Sequence, residues 1–229
     1  MASKEINKIR NLKSPEELAE YAKSKDADIQ QAVADNEYTS AETLTSLSLA
    51  EIKTVEDEML LHCVARNPNT PWPVLQRLAK SEQGFVRYGV ADNRNAPAYI
   101  LETLLDDEWF QDDSCYITSI KAALAINPNT TLAMKRKLAE CQWVSVRSYV
   151  AIYTSDIDLL KKLMTDEDWE VREAVALNPA LTSDMLREMK NDTHKFVLSA
   201  VLEHDKTPKE VKAEVAERLK TLEEEKISA

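Results

Sequence analysis

Glycine is almost absent from this chain, which has only 2 among 229 residues. Loops that cradle phosphates and the tight hairpins of sheet proteins need glycine at fixed positions, so the composition argues against a nucleotide-binding loop and an all-β fold. Alanine, leucine, glutamate and lysine, which helices favour, are instead abundant. We therefore expect an all-α protein.

Cysteine and long apolar runs are also scarce. Cys63, Cys115 and Cys141 are odd in number and scattered, which fits reduced thiols better than a disulfide framework. No segment approaches the roughly 18 consecutive apolar residues of a membrane span, and the N-terminus lacks the apolar core of a signal peptide. We therefore expect a soluble cytoplasmic protein that does not bind membranes.

Basic residues are fewer than acidic ones: the chain has 29 basic and 40 acidic residues, which give a formal net charge of −11. A field of this sign repels nucleic acid and anionic membranes and favours a basic partner. Hydrophobic residues make up 44% of the chain, so a core can still be buried.

What the chain does have is an internal repeat. The stretch VREAVALN, residues 171–178, has six relatives at a spacing of about 26 residues, with two insertions. These relatives are IQQAVADN, LLHCVARN, VRYGVADN, IKAALAIN, VRSYVAIY and VLSAVLEH, which end at Asn36, Asn67, Asn93, Asn127, Tyr153 and His204. This period predicts stacked helix pairs in one repeat domain, with a lead over residues 1–13, repeats over 14–208 and a capping helix over 209–229.

Each copy has the pattern of a short helix. Val171, Ala174 and Val175 follow i, i+3, i+4 spacing and so share one helix face. The middle member of this stripe is small in six of the seven copies, which permits the close approach of a neighbouring helix. Gly89 at that position costs about 1 kcal/mol of helix propensity relative to alanine, so packing explains it better than local preference.

The residues expected at the helix ends recur in a regular pattern. Asn-Pro steps predict the end of the first helix, because the residue before proline avoids helical geometry and asparagine tolerates a left-handed C-terminal turn. Ser14, Thr70 and Thr207 each precede proline and are predicted N-caps of second helices. Thr39 with Glu42 has the spacing of a capping box. We expect a repeat of two helices.

The last helix is predicted to run from Lys209 to Lys226 with an apolar side. That side consists of Val211, Val215, Leu219 and Leu222. A polar terminal helix shields the last repeat from end-to-end stacking, so we expect a cap and a monomeric protein. A helix that forms a dimer is the alternative.

The pattern V-R-x-small-V-A-x-N-P-x-T-P-x-x-x-L-x-x-L-A resembles the leucine-rich repeat variant family over roughly residues 14–219. The resemblance implies a right-handed α-solenoid of short alternating helices, similar in style to HEAT repeats, and a habit of binding partners with no assigned chemistry. Tyr153 and His204 depart from its asparagine, and the units before Asn67 and Asn127 are longer than its usual repeat. Some members carry a cysteine cluster for iron and sulfur. This sequence has none, so we expect no cofactor.

A basic residue follows the first apolar position in four copies. These candidates for a groove stripe are Arg87, Lys121, Arg147 and Arg172. Equivalent positions of a solenoid line up, so the stripe predicts either a groove for anions or an acidic partner, or a charge ladder between repeats. Asp168, four residues before Arg172, is an example of an acid for such a ladder. The other copies have no base at this position.

The insertion DDEWFQDDSCY, residues 106–116, interrupts the period with aromatic and acidic side chains. The candidates for partner binding are Asp106, Asp107, Glu108, Trp109, Phe110, Asp112 and Asp113. Aromatic anchors rimmed by acids suit a basic protein surface or a peptide with Arg or Lys. The alternative is that Trp109 and Phe110 fill a gap beside the longer loop.

Catalytic and metal-binding patterns are lacking. His62 and Cys63 are adjacent and therefore point about 100° apart on a helix, so they cannot act as a base and nucleophile pair. No CxxC or HExxH motif occurs, so no metal site is expected. We expect a non-catalytic scaffold that binds a protein or peptide, including a form that occludes a basic enzyme.

The alternative function is a nucleic-acid-binding or DNA-base-processing protein of HEAT-like fold. It would use the groove stripe together with Trp109, Trp143 and Asp113. The net negative charge and the lack of basic, aromatic-rich motifs make nucleic acid the less favoured partner.

Overall fold

The computed structural model describes residues 2–109 and 119–227. Within these ranges the regular structure consists of 16 helices and contains no strand, so the prediction of an all-α fold is confirmed. The chain divides into two compact units, unit 1 at 1–131 and unit 2 at 132–229. The single repeat domain expected from the sequence stays a prediction.

Unit 1 contains nine of these helices. They are α1 (Ala2–Arg10), α2 (Pro15–Tyr21), α3 (Ala27–Ala34), α4 (Ala41–Leu47), α5 (Val55–Arg66), α6 (Trp72–Leu78), α7 (Gly84–Asp92), α8 (Ala98–Glu102) and α9 (Ile120–Ile126). The first helices of successive repeats, α3, α5, α7 and α9, pack side by side in chain order, and α1 packs on α3. The second helices α2, α4 and α6 pack against the first helices next to them in the chain.

Unit 2 contains the other seven helices. They are α10 (Leu132–Leu138), α11 (Val144–Tyr153), α12 (Ile157–Leu163), α13 (Trp169–Ala176), α14 (Ser183–Met189), α15 (Lys195–Glu203) and α16 (Lys209–Ile227). Here α11, α13 and α15 form the row of first helices, and α16 packs against α15. Consecutive packing of helix pairs is the α-solenoid arrangement that the repeat predicts.

The predicted stripe of apolar and small residues forms the core of each unit. Val171, Ala174 and Val175 are buried, as are most of their counterparts in the other first helices, whereas Ile29, Cys63 and Tyr149 are half-buried. Small side chains let these helices approach closely. A Cβ atom added to Gly89 of α7 would lie 2.8 Å from the carbonyl oxygen of His62 in α5, which is closer than ordinary packing allows. The glycine is therefore explained by the contact between α5 and α7.

A ladder of buried asparagines joins the repeats of unit 1. The Asn93 Nδ2 group donates to the carbonyl oxygens of Ala65 and Asn67, both at 2.7 Å, and Asn93 Oδ1 accepts from the Asn95 amide at 2.8 Å. Asn36, Asn67 and Asn127 make the same three kinds of bond. Each side chain thus satisfies carbonyls that a helix end leaves without an intrahelical partner.

Two repeats of unit 2 keep this chemistry, and one of them uses a different residue. Asn178 donates to three carbonyl oxygens of the preceding repeat. In the next repeat His204 takes the place of asparagine: its Nε2 lies 3.2 Å from the Asn178 carbonyl oxygen, and its Nδ1 accepts from the Lys206 amide at 3.1 Å. These two contacts fit the neutral tautomer with the proton on Nε2. The departure noted at His204 therefore preserves the donor and the acceptor.

Two predictions about helix ends are wrong. Thr70 and Thr207 do not cap second helices, because each hydroxyl is buried and donates to the carbonyl oxygen six residues earlier. Thr39 does the same, and Ser40 caps α4 instead. The asparagine before proline is extended rather than left-handed, with φ −62° and ψ 128° at Asn67. Its side chain instead donates to carbonyl oxygens of the preceding repeat.

Other predicted ends are confirmed. Ser14 caps α2, since its hydroxyl accepts from the Glu17 amide at 3.2 Å. The predicted C-terminal helix is α16, with Val211 and Val215 buried on its apolar side. That α16 shields the last repeat from end-to-end stacking stays a prediction. Among the described helices, none is both long and apolar enough to cross a membrane.

Candidate partner-binding site

Arg87, the first member of the groove stripe, is held inside unit 1 by an aspartate. Its Nε and Nη2 groups bond both carboxylate oxygens of Asp107, in the turn after α8. Its Nη1 group donates to the carbonyl oxygens of Ser81 and Glu82 at 2.7 and 3.1 Å. Four of the five guanidinium N–H groups are therefore engaged.

The same clamp occurs twice in unit 2. Arg147 binds Asp166 in two-pronged fashion at 2.8 and 2.9 Å, and Arg172 binds Asp192 at 2.6 and 3.1 Å. Burial alone would raise the pKa of Asp166 and Asp192, but hydrogen bonds from the arginine and from a backbone amide hold both pKa values below the ordinary range. Asp168 has another use, since it caps α13 through the Glu170 amide.

Lys121, the fourth member of the stripe, differs from the three arginines. It lies half-buried on α9 and has no carboxylate partner among the described residues. Gln30, which occupies the equivalent position in α3, donates to the carbonyl oxygens of Ala22 and Ser24. In four of the seven repeats the side chain at this position thus bonds carbonyl oxygens of the turn before its helix. The three arginines also pair with aspartates, as the alternative of a charge ladder between repeats requires.

Trp109, the described aromatic of the insertion, belongs to a cluster of rings in unit 1. Its ring centroid lies 6.1 Å from that of Phe85 and 6.3 Å from that of Tyr88. His62 stacks on Phe85 at 3.9 Å, and burial lowers the pKa of this histidine. The indole lies against Gly84, where an added Cβ atom would overlap it. This packing gives Trp109 a defined position at the edge of the ring cluster.

Exposed carboxylates lie beside this ring cluster. Asp106 and Glu108 are exposed, whereas Asp107 is committed to Arg87 and also accepts from the Trp109 amide at 2.9 Å. Asp107 therefore positions the segment, and its two neighbours are the acids that face solvent. The structure brings Asp106, Asp107, Glu108 and Trp109 together. Phe110, Asp112 and Asp113 lie outside the described residues.

Comparison with known proteins supports the repeat fold. A solved structure described as "a leucine-rich repeat variant with a novel repetitive protein structural motif" is 24% identical, with a TM-score of 0.58, and covers 90% of this chain and 82% of that chain. The fold is similar to that of a leucine-rich repeat variant. The resemblance inferred from the repeat pattern is thereby confirmed at the level of fold. No protein-family model and no curated protein matches the chain.

Because a fold of this kind does not imply a reaction, chemistry has to be argued from the side chains present. Burial raises the pKa of the Cys63 thiol to about 11, so the thiol is protonated at neutral pH and is a poor nucleophile. The Nδ1 atom of His62 is hydrogen-bonded to the Phe85 carbonyl oxygen at 3.0 Å. Over residues 2–109 and 119–227, no three His, Cys, Asp or Glu side chains gather as metal ligands would.

Two groups of rings were not found from the sequence. Phe85 and Tyr88 surround Trp109 in unit 1, and Trp169 stacks on His194 at 4.1 Å in unit 2. A usable signal was present, because His62 and Tyr88, like Trp169 and His194, are one repeat period apart in the sequence. Residues one period apart lie on neighbouring helices of a leucine-rich repeat variant fold, where their rings can meet.

Proposed function

We propose that this chain is a non-catalytic repeat scaffold that binds a protein or peptide with a basic surface. The observation that carries the proposal is the ring cluster around Trp109 with Asp106 and Glu108 exposed beside it. Rings supply area that loses water on binding, and flanking acids attract Lys and Arg side chains. A cytoplasmic, monomeric protein is part of the same proposal.

The distribution of charge supports a basic partner for unit 1. This unit holds 21 of the 40 acidic side chains but only 13 of the 29 basic ones. The insertion lies within the unit that carries most of the net negative charge. An acidic surface of this kind accelerates association with a basic partner and slows it with an acidic one.

The nucleic-acid alternative needs cations that are free to bind phosphate. Arg87, Arg147 and Arg172 instead hold aspartates and main-chain carbonyls. A phosphate would have to displace a carboxylate that is already bound through two parallel hydrogen bonds, which are the strongest such contacts in proteins. Protein or peptide is therefore the partner class that we favour.

Affinity capture with the full chain tests the proposal. Extract of the source cell is divided into nuclease-treated and untreated halves, and captured proteins are identified by mass spectrometry. Replacing both exposed acids of the insertion, Asp106→Lys with Glu108→Lys, should reduce capture of the protein partner about tenfold, or ~1.4 kcal/mol. Trp109→Ala should act in the same direction, with helix content checked by circular dichroism.

A matched control changes the net charge equally at a distant place. Glu37→Lys with Glu51→Lys reverses two exposed acids of unit 1 outside the insertion, and capture should be nearly unchanged. Trp72→Ala removes an exposed tryptophan on α6 and serves the same purpose for the aromatic change. Partners that disappear on nuclease treatment, or equal loss in both charge variants, would contradict the proposed site.

A further inference from the structure

The terminal helix α16 is much longer than the other second helices. It has 19 residues, whereas α14 has 7 and its own partner α15 has 9. At 1.5 Å per residue α16 extends about 28 Å and α15 about 14 Å, so the distal part of α16 continues beyond the helix that covers it. Val211 and Val215 are buried, but Leu219 and Leu222, which continue the same apolar side, stay partly exposed.

A pocket of about 420 Å³ lies at this place in unit 2. Its lining includes Lys195, Phe196 and Ser199 of α15 and Leu219 and Leu222 of α16. Pockets that hold small ligands have volumes of about 300–1,000 Å³ and combine apolar walls with a few polar groups that fix the orientation of the ligand. Phe196 and the two leucines form the apolar wall here, and Phe196 remains 44% exposed.

The polar residues of the pocket lining include one basic side chain, Lys195. The Lys195 ammonium lies 4.8 Å from the Phe196 ring centroid. His194, at the N-cap of α15, does not cap this helix, because its ring stacks on Trp169 and its Nδ1 is buried without a hydrogen-bond partner. The first amides of α15 therefore receive no side-chain cap.

The charge of the lining selects the sign of a ligand. Of the described side chains that line the pocket, none is acidic, although acids outnumber bases in the whole chain. Lys195 and the N-terminal turn of α15 both favour a negative group, since the helix dipole adds partial positive charge at this end. An apolar group joined directly to a carboxylate complements the two ends of the pocket.

We propose that this pocket binds a small amphiphilic carboxylate of the fatty-acid type. Its carboxylate lies at the first turn of α15 beside Lys195, and its alkyl chain lies on Phe196, Leu219 and Leu222. The site is in unit 2 and is independent of the function proposed for the insertion of unit 1.

Titration of the full chain with octanoate, below its micelle concentration, tests this site. Amide signals followed by NMR should shift saturably at Lys195, Phe196, Ser199 and Leu222, and not in unit 1. Octan-1-ol, which lacks the carboxylate, should bind about tenfold more weakly, since a charge-assisted hydrogen bond is lost. Added salt should weaken octanoate binding and leave octanol binding nearly unchanged.

Two variants separate this site from general adsorption. Lys195→Ala should weaken octanoate about three- to tenfold without affecting octanol, and Leu222→Asp should abolish binding of both. Lys161→Ala and Leu177→Asp, at exposed positions elsewhere in unit 2, are matched controls that should bind normally. Circular dichroism shows whether each variant is folded. Equal affinity for octanoate and octanol, shifts outside the pocket, or a peptide that binds where octanoate does not would overturn the proposal.

Discussion

At the scale of single residues, buried polar side chains define the repeat as strongly as apolar ones do. The ladder asparagines each satisfy two carbonyl oxygens of the preceding repeat and one amide of their own turn. An amide side chain is suited to this task because it offers donors and an acceptor in one plane. His204 and Lys206 show that the required pattern is chemical, since Lys206 Nζ reaches the Pro179 and Leu181 carbonyl oxygens in the manner of Asn129.

Asn93→Ala should destabilise the protein by about 2–4 kcal/mol, because it removes two buried hydrogen bonds to carbonyl oxygens and the acceptor of the Asn95 amide. Asn93→Asp should cost at least as much, since a carboxylate cannot donate to carbonyl oxygens. Asn95→Ala, which removes one exposed donor, is the matched control and should cost at most about 1 kcal/mol. The free energy of unfolding in urea measures all three. Equal values for Asn93→Ala and Asn95→Ala would contradict the importance of the ladder.

At the scale of helices, the spacing between neighbouring elements is determined by the small residues of the apolar stripe. Ala32, Ala123, Ala174 and Ala200 are buried at this position, and Gly89 occupies it at the contact between α5 and α7. The helix propensity of glycine is poor, yet its lack of a side chain is what this contact requires.

Gly89→Ala should lower the free energy of unfolding by about 1–3 kcal/mol, because the new methyl would meet the His62 carbonyl oxygen at 2.8 Å. Helix propensity alone predicts the opposite sign, a gain of about 1 kcal/mol. Ala133→Gly, at an exposed position of α10, measures the propensity effect without the packing effect. Thermal and urea unfolding distinguish the two expectations, and a stabilised Gly89→Ala variant would show that the helices separate easily.

The sequence predicts the helices and their order better than the contacts that join them. Periodicity identifies every first helix, because burial of Val171 and its equivalents is a local 3.6-residue pattern. The roles of Thr70 and Asn67 are missed because propensity describes a helix end in isolation, whereas these side chains bond main-chain groups elsewhere. The partner of Arg172 is missed for the same reason: Asp192 lies 20 residues away, beyond any rule for one helix.

At the scale of the whole molecule, charge is the property that distinguishes this chain. A net charge of −11 at pH 7 produces self-repulsion, which weakens as carboxylates are protonated towards the pI of about 4.9. The clamps of Asp166 and Asp192 oppose this trend at lower pH. Their pKa values lie below the ordinary value of 3.8, so their stabilising effect is complete above that pH and is lost as pH falls through the lower values of the folded protein.

The free energy of unfolding should therefore fall steeply below about pH 4. Asp166→Asn should reduce the steepness of this acid loss while lowering stability at pH 7, because the clamp of Arg147 no longer depends on a titrating group. Urea unfolding at a series of pH values from 7 to 2.5 gives the comparison, with Asp184→Asn at an exposed aspartate as control. An identical acid slope in the wild type and Asp166→Asn would exclude Asp166 as a contributor.

The clamps also determine when a repeat can be finished during synthesis. Each arginine is made before its aspartate, which follows 19 or 20 residues later. At about 5–20 residues per second, the aspartate leaves the ribosome roughly 1–4 seconds after its arginine. Until that aspartate emerges, each of these three arginines lacks the carboxylate that holds it in the finished repeat.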